Sequence, residues 1–198
     1  MKIKMEMLVA GTAMITAVAA VVVAIFQTQL MSEEAELERT HARLSVKPIL
    51  WVSGNWSDNP NQPHFSIVLV NRGLGPAVIE QFSVNYKGQY LDDWDAFVEA
   101  ASDGEFSIAG DNENINAWSL STVSPGTIVP ASSRVRPFGI DENVELTRAL
   151  VRAGDDLKVS VCFCSIYQEC WRAETTQRPS RVNSCQFDQR TYFGESNE

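Results

Sequence analysis

An uncharged apolar stretch, MLVAGTAMITAVAAVVVAIF, runs for 20 residues from Met7 to Phe26 and limits what this chain can fold into. An α-helix needs about 20 apolar residues to cross the hydrocarbon core of a bilayer, which is about 30 Å thick. A cleaved signal peptide is the alternative, with Ala17–Ala19 as its cleavage motif, but signal h-regions usually span only about 7–15 residues. The length therefore favours an uncleaved signal anchor, a transmembrane helix over residues 7–27.

Positive charge flanks this stretch unevenly. Lys2 and Lys4 precede the apolar residues, whereas the next basic residues, Arg39 and Arg43, follow well beyond them. Because Lys and Arg are retained on the cytoplasmic side, we expect residues 1–6 to form a cytoplasmic tail. The sequence thus predicts a single-pass protein of the bacterial cytoplasmic (inner) membrane, with its N-terminus inside and its C-terminal domain in the periplasm or outside the cell.

Small residues recur along the apolar stretch at spacings of three and four, which places them on one face of a helix. They are Ala10, Ala13, Ala17, Ala20 and Ala24. Small side chains let two helix backbones approach closely in lipid, where no hydrophobic effect drives association. The stripe predicts a packed transmembrane partner, which is either another protein or a second copy of this chain.

Residues 28–45 continue the pattern as a predicted helical stalk. Leu30, Leu37 and Leu44 recur at intervals of seven, the spacing of a coiled-coil seam, although three leucines are too few to assign a coiled coil. We expect the helix to end before Pro48, because the residue that precedes a proline resists the helical conformation.

Residues 46–198 have the pattern of a β-rich folded domain. FSIVLV at 65–70 is apolar on both faces, as in a central strand, and QFSVNYK at 81–87 alternates between apolar and polar residues. Further strands are predicted at 115–123, 132–140 and 155–164, and short helices at 92–101 and 141–154. Many short strands with turn signals predict an antiparallel β-sandwich, and a β-rich α+β domain is the alternative.

Three stretches resemble a group of uncharacterised bacterial single-pass membrane proteins: RLSVKPIL, FSIVLVNRGLGPAVIEQFSVNYKG and CSIYQECW. The middle stretch is also similar to strand pairs of bacterial immunoglobulin-like domains. The resemblance implies a membrane anchor and an immunoglobulin-like β-sandwich, and it implies no activity.

The four cysteines are concentrated near the C-terminus. Cys162 and Cys164 lie in the predicted strand at 155–164, on its more polar face, and we expect Cys170 and Cys185 to lie on a segment that covers this face. Two disulfides from the strand to the cover fit the even number of cysteines. Of the three possible connectivities, the one with a strained bond between Cys162 and Cys164 is disfavoured, and the other two stay open. Disulfides also agree with an oxidising compartment.

Zinc and free thiols are the alternatives for these cysteines. Structural zinc sites more often place two residues between paired cysteines, and this chain places one between Cys162 and Cys164. A thiol redox centre would normally show a Cys-x-x-Cys motif, which the sequence lacks. The sequence therefore predicts no metal and no cofactor.

Residues suited to catalysis are scarce. His41 lies in the stalk, which leaves His64 as the single histidine of the domain, and no Gly-x-Ser-x-Gly motif is present. The acidic stretch at 103–113 lacks the glycine and glutamate of a calcium loop, so a solvated loop is favoured. The net charge of −9 argues against nucleic acid, because phosphate binding needs clustered Lys and Arg.

We therefore predict a non-enzymatic accessory or assembly subunit that holds protein partners at the membrane through its alanine stripe and its sheet surface. The five tryptophans belong to the core and in part to an interface: they are Trp51, Trp56, Trp94, Trp118 and Trp171. A pilin-like filament subunit is one alternative, although no glycine cleavage point precedes the apolar segment. A small hydrolytic or metal-dependent enzyme is the other, and the scarcity of histidine disfavours it.

Overall fold

The structure is a computed structural model of the 198-residue chain and describes residues 2–108, 116–118, 122–186 and 193–194. The chain divides into two compact units, Met1–Leu44 and Ser45–Glu198. The first unit belongs to one long helix, and the second contains all of the strands of the described residues.

The first unit is helix α1, which runs from Lys2 to Ser45. No proline interrupts it, and the first proline of the chain, Pro48, follows three residues after its end. Among the described residues, α1 is the single helix long and apolar enough to cross a membrane, and none of its apolar window is buried. A signal sequence has the same properties.

The first sheet of the second unit has the strand order β1-β2-β7-β5, and every pair is antiparallel. Its strands are β1 (Leu50–Ser57), β2 (His64–Asn71), β7 (Arg134–Asp141) and β5 (Asn116–Trp118). β2 has a partner on each side, which explains why its sequence is apolar on both faces.

The second sheet is also antiparallel and has the order β10-β9-β8-β3-β4, with β6 paired to the first two residues of β3. Its strands are β3 (Ala77–Tyr86), β4 (Gln89–Leu91), β6 (Ile128–Val129), β8 (Leu157–Cys164), β9 (Cys170–Glu174) and β10 (Ser180–Val182). In β8, alternate residues from Leu157 to Phe163 are buried in the core, as the sequence predicts.

The apolar faces of the two sheets share one core, closed by two short helices, α2 (Trp94–Ala101) and α3 (Val144–Ala153). Aromatic rings fill its centre: Trp94 stacks on Phe138 with ring centroids 4.6 Å apart, and Phe193 packs on Trp94 at 4.7 Å. Fully burying one such side chain contributes about 1.5–3 kcal/mol, so this cluster accounts for much of the stability of the domain.

Side-chain caps fix where the two short helices begin. Asp93 accepts a hydrogen bond from the Ala96 N–H at 2.8 Å, and Asn143 accepts one from the Leu146 N–H at 2.9 Å. The sequence predicts these helices at 92–101 and 141–154. In the structure, α2 begins two residues and α3 three residues later than predicted. Gly154 caps α3 with a φ of −60° and leads into a 3₁₀ turn, Gly154–Asp156, that connects directly to β8.

The prediction of a β-rich chain with a long N-terminal helix is therefore confirmed. Within the strand predicted at 115–123, the structure forms β5 over three residues, and residues 115 and 119–121 lie outside the described part of the chain.

Candidate functional site

A groove of about 530 Å³ lies beside β1 and is the candidate site of the domain. Leu50 and Val52 point into the core and are buried, and the same face of β1 continues with Gly54 and Trp56, beyond the last core residue of the strand. Side chains alternate along a strand, so these four residues share one face. That face is packed in the core at the beginning of β1 and open to solvent towards its end. We call this feature the β1 groove.

Apolar side chains form the floor of the β1 groove. Phe65 and Ile67 of β2 and Leu157 of β8 reach it from the two sheets, and Val151 of α3 completes it. The opposite wall is formed by Glu174, the last residue of β9, and by the turn after it, residues 175–177. The groove is thus an open end of the shared core, at which apolar side chains of both sheets meet solvent.

Trp56 stands at the mouth of the β1 groove and is 57% exposed. Its ring lies over Gly54, so that a Cβ atom at position 54 would be 2.9 Å from the ring. An exposed indole beside an apolar floor is typical of interaction surfaces, since tryptophan is enriched among residues that contribute most to binding.

Four charged residues line the β1 groove: Arg72, Asp155, Lys158 and Glu174. Arg72 lies at the beginning of β1, where its N–H donates to the Ile49 carbonyl at 2.8 Å, and its guanidinium stacks over Trp51 at 5.9 Å. Asp155 lies at the other end, next to Gly154, where a Cβ atom would be 3.9 Å from the Phe65 ring. Among the described residues, neither Arg72 nor Asp155 has a salt-bridge partner. Lys158 of β8 and Glu174 of β9 carry opposite charges, so along β1 itself the positive group is Arg72 at its beginning and the negative group is Asp155 near its end.

One titratable group near this part of the domain has a shifted pKa. A hydrogen bond to Tyr86, whose ring lies 4.9 Å from the Lys87 ammonium, raises the pKa of Lys87. Lys87 stays protonated at neutral pH and does not line the β1 groove, so this shift indicates no proton-transfer chemistry there.

The cysteines form two disulfides on the outer face of the second sheet. Cys162 joins Cys185 and Cys164 joins Cys170, which is one of the two connectivities left open by the sequence. The sulfurs of Cys164 and Cys185 lie 3.8 Å apart, so the two bonds make one compact sulfur cluster. No described cysteine is free.

One part of the cysteine prediction is wrong. Cys170 does not lie on a segment covering β8; it begins β9, the neighbouring strand, directly opposite Cys164. Cys185 does lie outside the strands, after β10. The sequence SIYQE between Cys164 and Cys170 forms a tight turn between the paired strands β8 and β9. A connection of this length permits a hairpin as well as a segment that crosses over the face of β8.

The residues predicted to pack in the membrane lie on α1. The stripe Ala10, Ala13, Ala17, Ala20 and Ala24 is exposed along its whole length, as are the stalk leucines Leu30, Leu37 and Leu44. Partner binding by these residues stays a prediction.

Among the described residues, the single histidine of the domain and its candidate acidic residues are not brought together. His64 is half-buried at the start of β2, with Nδ1 3.4 Å from the Gln62 carbonyl oxygen. Asp95 accepts hydrogen bonds from the Ser107 hydroxyl and the Ile108 N–H at 2.9 and 2.6 Å, which is a structural role. Asp103 and Glu105 are exposed, and Asp111 and Glu113 lie outside the described residues.

β1 is not among the strands predicted from the sequence, and the groove beside it is therefore not predicted either. LWVSGNWS carries the signal: apolar Leu50 and Val52 alternate with polar Ser53 and Asn55, and no residue is charged. Gly54 interrupts the alternation at its centre. Of the tryptophans, Trp94 and Trp171 are buried, whereas Trp51 and Trp56 line the groove.

No protein-family model, curated protein or solved structure matches this chain.

Proposed function

We propose that this protein is a membrane-anchored, non-enzymatic accessory or assembly subunit that binds protein partners through α1 and through its two-sheet domain. Its place is the bacterial inner membrane, with the domain in the periplasm or outside the cell. The observation that carries the proposal is α1, an exposed apolar helix joined to a disulfide-bonded domain.

The exposed side chains of α1 support the membrane anchor. Val18, Val21, Ile25 and Phe26 are each more than half exposed, which is unfavourable in water and favourable in lipid. Lys2 and Lys4 before the apolar segment support an N-terminus on the cytoplasmic side. The two disulfides support an oxidising compartment for the domain.

The surface of the domain supports partner binding over catalysis. The β1 groove combines an apolar floor with the exposed Trp56, and the described residues that line it include no histidine, no cysteine and no serine elbow. We also propose that the two packed sheets form an immunoglobulin-like sandwich, which is supported by the antiparallel order of both sheets and by the resemblance of residues 65–88 to strand pairs of such domains.

Native mass spectrometry of the full chain, solubilised from its own membrane without reductant, tests this function. We expect a mass that lacks four hydrogens, because two disulfides form, with a second polypeptide attached. Ala17→Ile should weaken that attachment, since the larger side chain separates packed helices. Purified chain without a partner, or chain recovered from the soluble fraction, would contradict the proposal.

Ala19→Ile is the matched control. Ala19 lies on the opposite face of α1 from Ala17, because successive residues of a helix turn by about 100°, and the substitution is the same. Loss of the partner in both variants would indicate a general disturbance of the helix and not packing along the stripe.

A further inference from the structure

β1 is the long unprotected edge of the domain. It has eight residues, whereas the other edge strands of the described chain are short: β4, β5 and β10 have three residues each and β6 has two. Proteins usually protect sheet edges with short strands, charged residues or proline. β1 contains neither a charged residue nor a proline, so this edge has none of these protections.

The hydrogen-bond pattern shows which backbone groups face outward. Arg72 N–H donates to the Ile49 carbonyl at 2.8 Å, and Asn71 N–H donates to the Ser133 carbonyl at 2.9 Å. Bonding alternates along antiparallel strands, so β2 bonds β1 through Trp51, Ser53 and Asn55. The backbone groups of Val52, Gly54 and Trp56 consequently point away from β2, and no strand of the described residues pairs with that side.

The outward backbone groups lie beside the β1 groove. Gly54 carries no side chain, and its carbonyl receives only a long bond of 3.4 Å from the Ser53 hydroxyl. A strand added here would place alternate side chains over the apolar floor formed by Phe65 and Leu157. Such a strand would extend the first sheet and cover the open end of the core at the same time.

We propose that β1 binds an extended segment of a partner protein as an added antiparallel strand, with its alternate apolar side chains in the β1 groove. This deepens the proposed function by giving the binding mode of the domain. Main-chain bonds supply affinity in this mode, and pockets for alternate side chains supply specificity.

Charge at the ends of the groove defines the segment further. The strand itself is uncharged, and Lys158 and Glu174 across the groove carry opposite charges, so a charge in the middle of the segment would lose solvation for little gain. Arg72 at the beginning of β1 complements an acidic residue, and Asp155 at its end complements a basic one. An antiparallel segment therefore carries its basic residue at the N-terminal end and its acidic residue at the C-terminal end.

A synthetic capped peptide, Lys-Val-Thr-Val-Thr-Val-Glu, has these properties and is the probe. Binding of its fluorescent form to the full disulfide-bonded chain in detergent micelles is measured by anisotropy. Residues directly opposite each other in paired strands share a face of the sheet. Valines whose side chains enter the groove therefore lie opposite Val52, Gly54 and Trp56, and their N–H groups point at the outward carbonyls of these residues.

Two methylated forms of the probe test the geometry. N-methylation of the valines removes the bonds to β1 and should weaken binding at least tenfold, whereas N-methylation of the threonines should change it less than threefold. The peptide with Lys and Glu exchanged should bind about threefold more weakly, because exposed ion pairs contribute little. Equal affinity of the two methylated forms, or no saturable binding of the probe, overturns the proposal.

Gly54→Pro tests the same bonds from the protein side. Proline removes an outward N–H and leaves the bonds between β1 and β2 in place, so we expect at least tenfold weaker binding; the exposed Trp56 ring turns aside for the added Cβ. Asn55→Ala is the control, because its backbone faces β2 and its side chain is exposed. Both variants must retain the two disulfides.

A dimer of the full chain that Gly54→Pro dissociates would show that the occupant is β1 of a second copy, and would overturn the choice of partner. These measurements use a synthetic peptide and do not depend on a natural partner. If the peptide does not bind, the proposal of a membrane-anchored subunit is unaffected. If the chain proves not to be anchored in a membrane, the result with the peptide is unaffected.

Discussion

At the scale of single residues, the amide of Asn71 joins three parts of the domain. The side chain is 1% exposed, and its Nδ2 donates to the carbonyls of Gly75, Val129 and Pro130 at 2.9–3.1 Å. Its Oδ1 accepts from the N–H groups of Gly73 and Ile49 at 2.9 and 3.2 Å. One side chain thus positions the start of β1, the turn after β2 and the end of β6.

Asn71→Ala should lower the free energy of unfolding by at least about 3 kcal/mol, because each buried group that loses its partner costs about 1–3 kcal/mol. Urea unfolding of the full chain, followed by tryptophan fluorescence, measures this loss. The control is Asn85→Ala, since Asn85 makes one exposed bond to the Gly88 N–H at 3.1 Å and should cost about 1 kcal/mol or less. Similar losses in both variants would contradict this account of Asn71.

At the scale of elements, the two disulfides fix different lengths of chain. Cys164–Cys170 closes a hairpin between strands that already pair, across a separation of 6 residues. Cys162–Cys185 spans 23 residues and holds the segment after β10 against the outer face of the second sheet. The longer closed loop removes more entropy from the unfolded chain, so the second bond constrains the fold more strongly.

Replacing Cys162 and Cys185 with serine should therefore destabilise the protein by about 3 kcal/mol, against about 2 kcal/mol for replacing Cys164 and Cys170. Urea midpoints of the two double variants give the order. Peptide mapping without reductant first verifies that the remaining pair is bonded. A larger loss from the hairpin bond would show that local structure, and not loop length, sets the contribution.

At the scale of the whole molecule, an apolar helix and a disulfide-bonded domain occur in one chain. The core that the two sheets share contains residues from both sheets, from α2 and α3, and from Phe193 near the C-terminus. The exposed apolar surface of α1 has no such cover, and a membrane would supply it. The exposed side chains of α1 thus suit lipid, whereas the domain buries its own apolar core and suits water.

Val18→Arg places a charge near the middle of the apolar segment and should make insertion less favourable by about 3 kcal/mol. We expect a clear loss of the chain from carbonate-washed membranes. Thr40→Arg, in the exposed stalk, should leave the membrane fraction unchanged. Equal retention of both variants would mean that the segment does not span the bilayer.

Most elements of the domain follow from local patterns. The central strand β2, the alternating strand β8 and both short helices have periods and capping residues that are visible in the sequence. β1 is less visible, because Gly54 interrupts it and half of its inner face is not buried by the domain itself. The incomplete burial of β1 therefore explains both why its sequence pattern is weak and why a groove is open beside it.

The sequence by itself determined the apolar helix, the β-rich class of the domain and the involvement of strand β8 in disulfides, because these depend on composition and period along the chain. The tertiary structure decided which sulfurs join, that Cys170 begins a neighbouring strand, and that β1 is an open edge beside an apolar groove. Those properties depend on which distant strands become neighbours, and no local pattern specifies that choice.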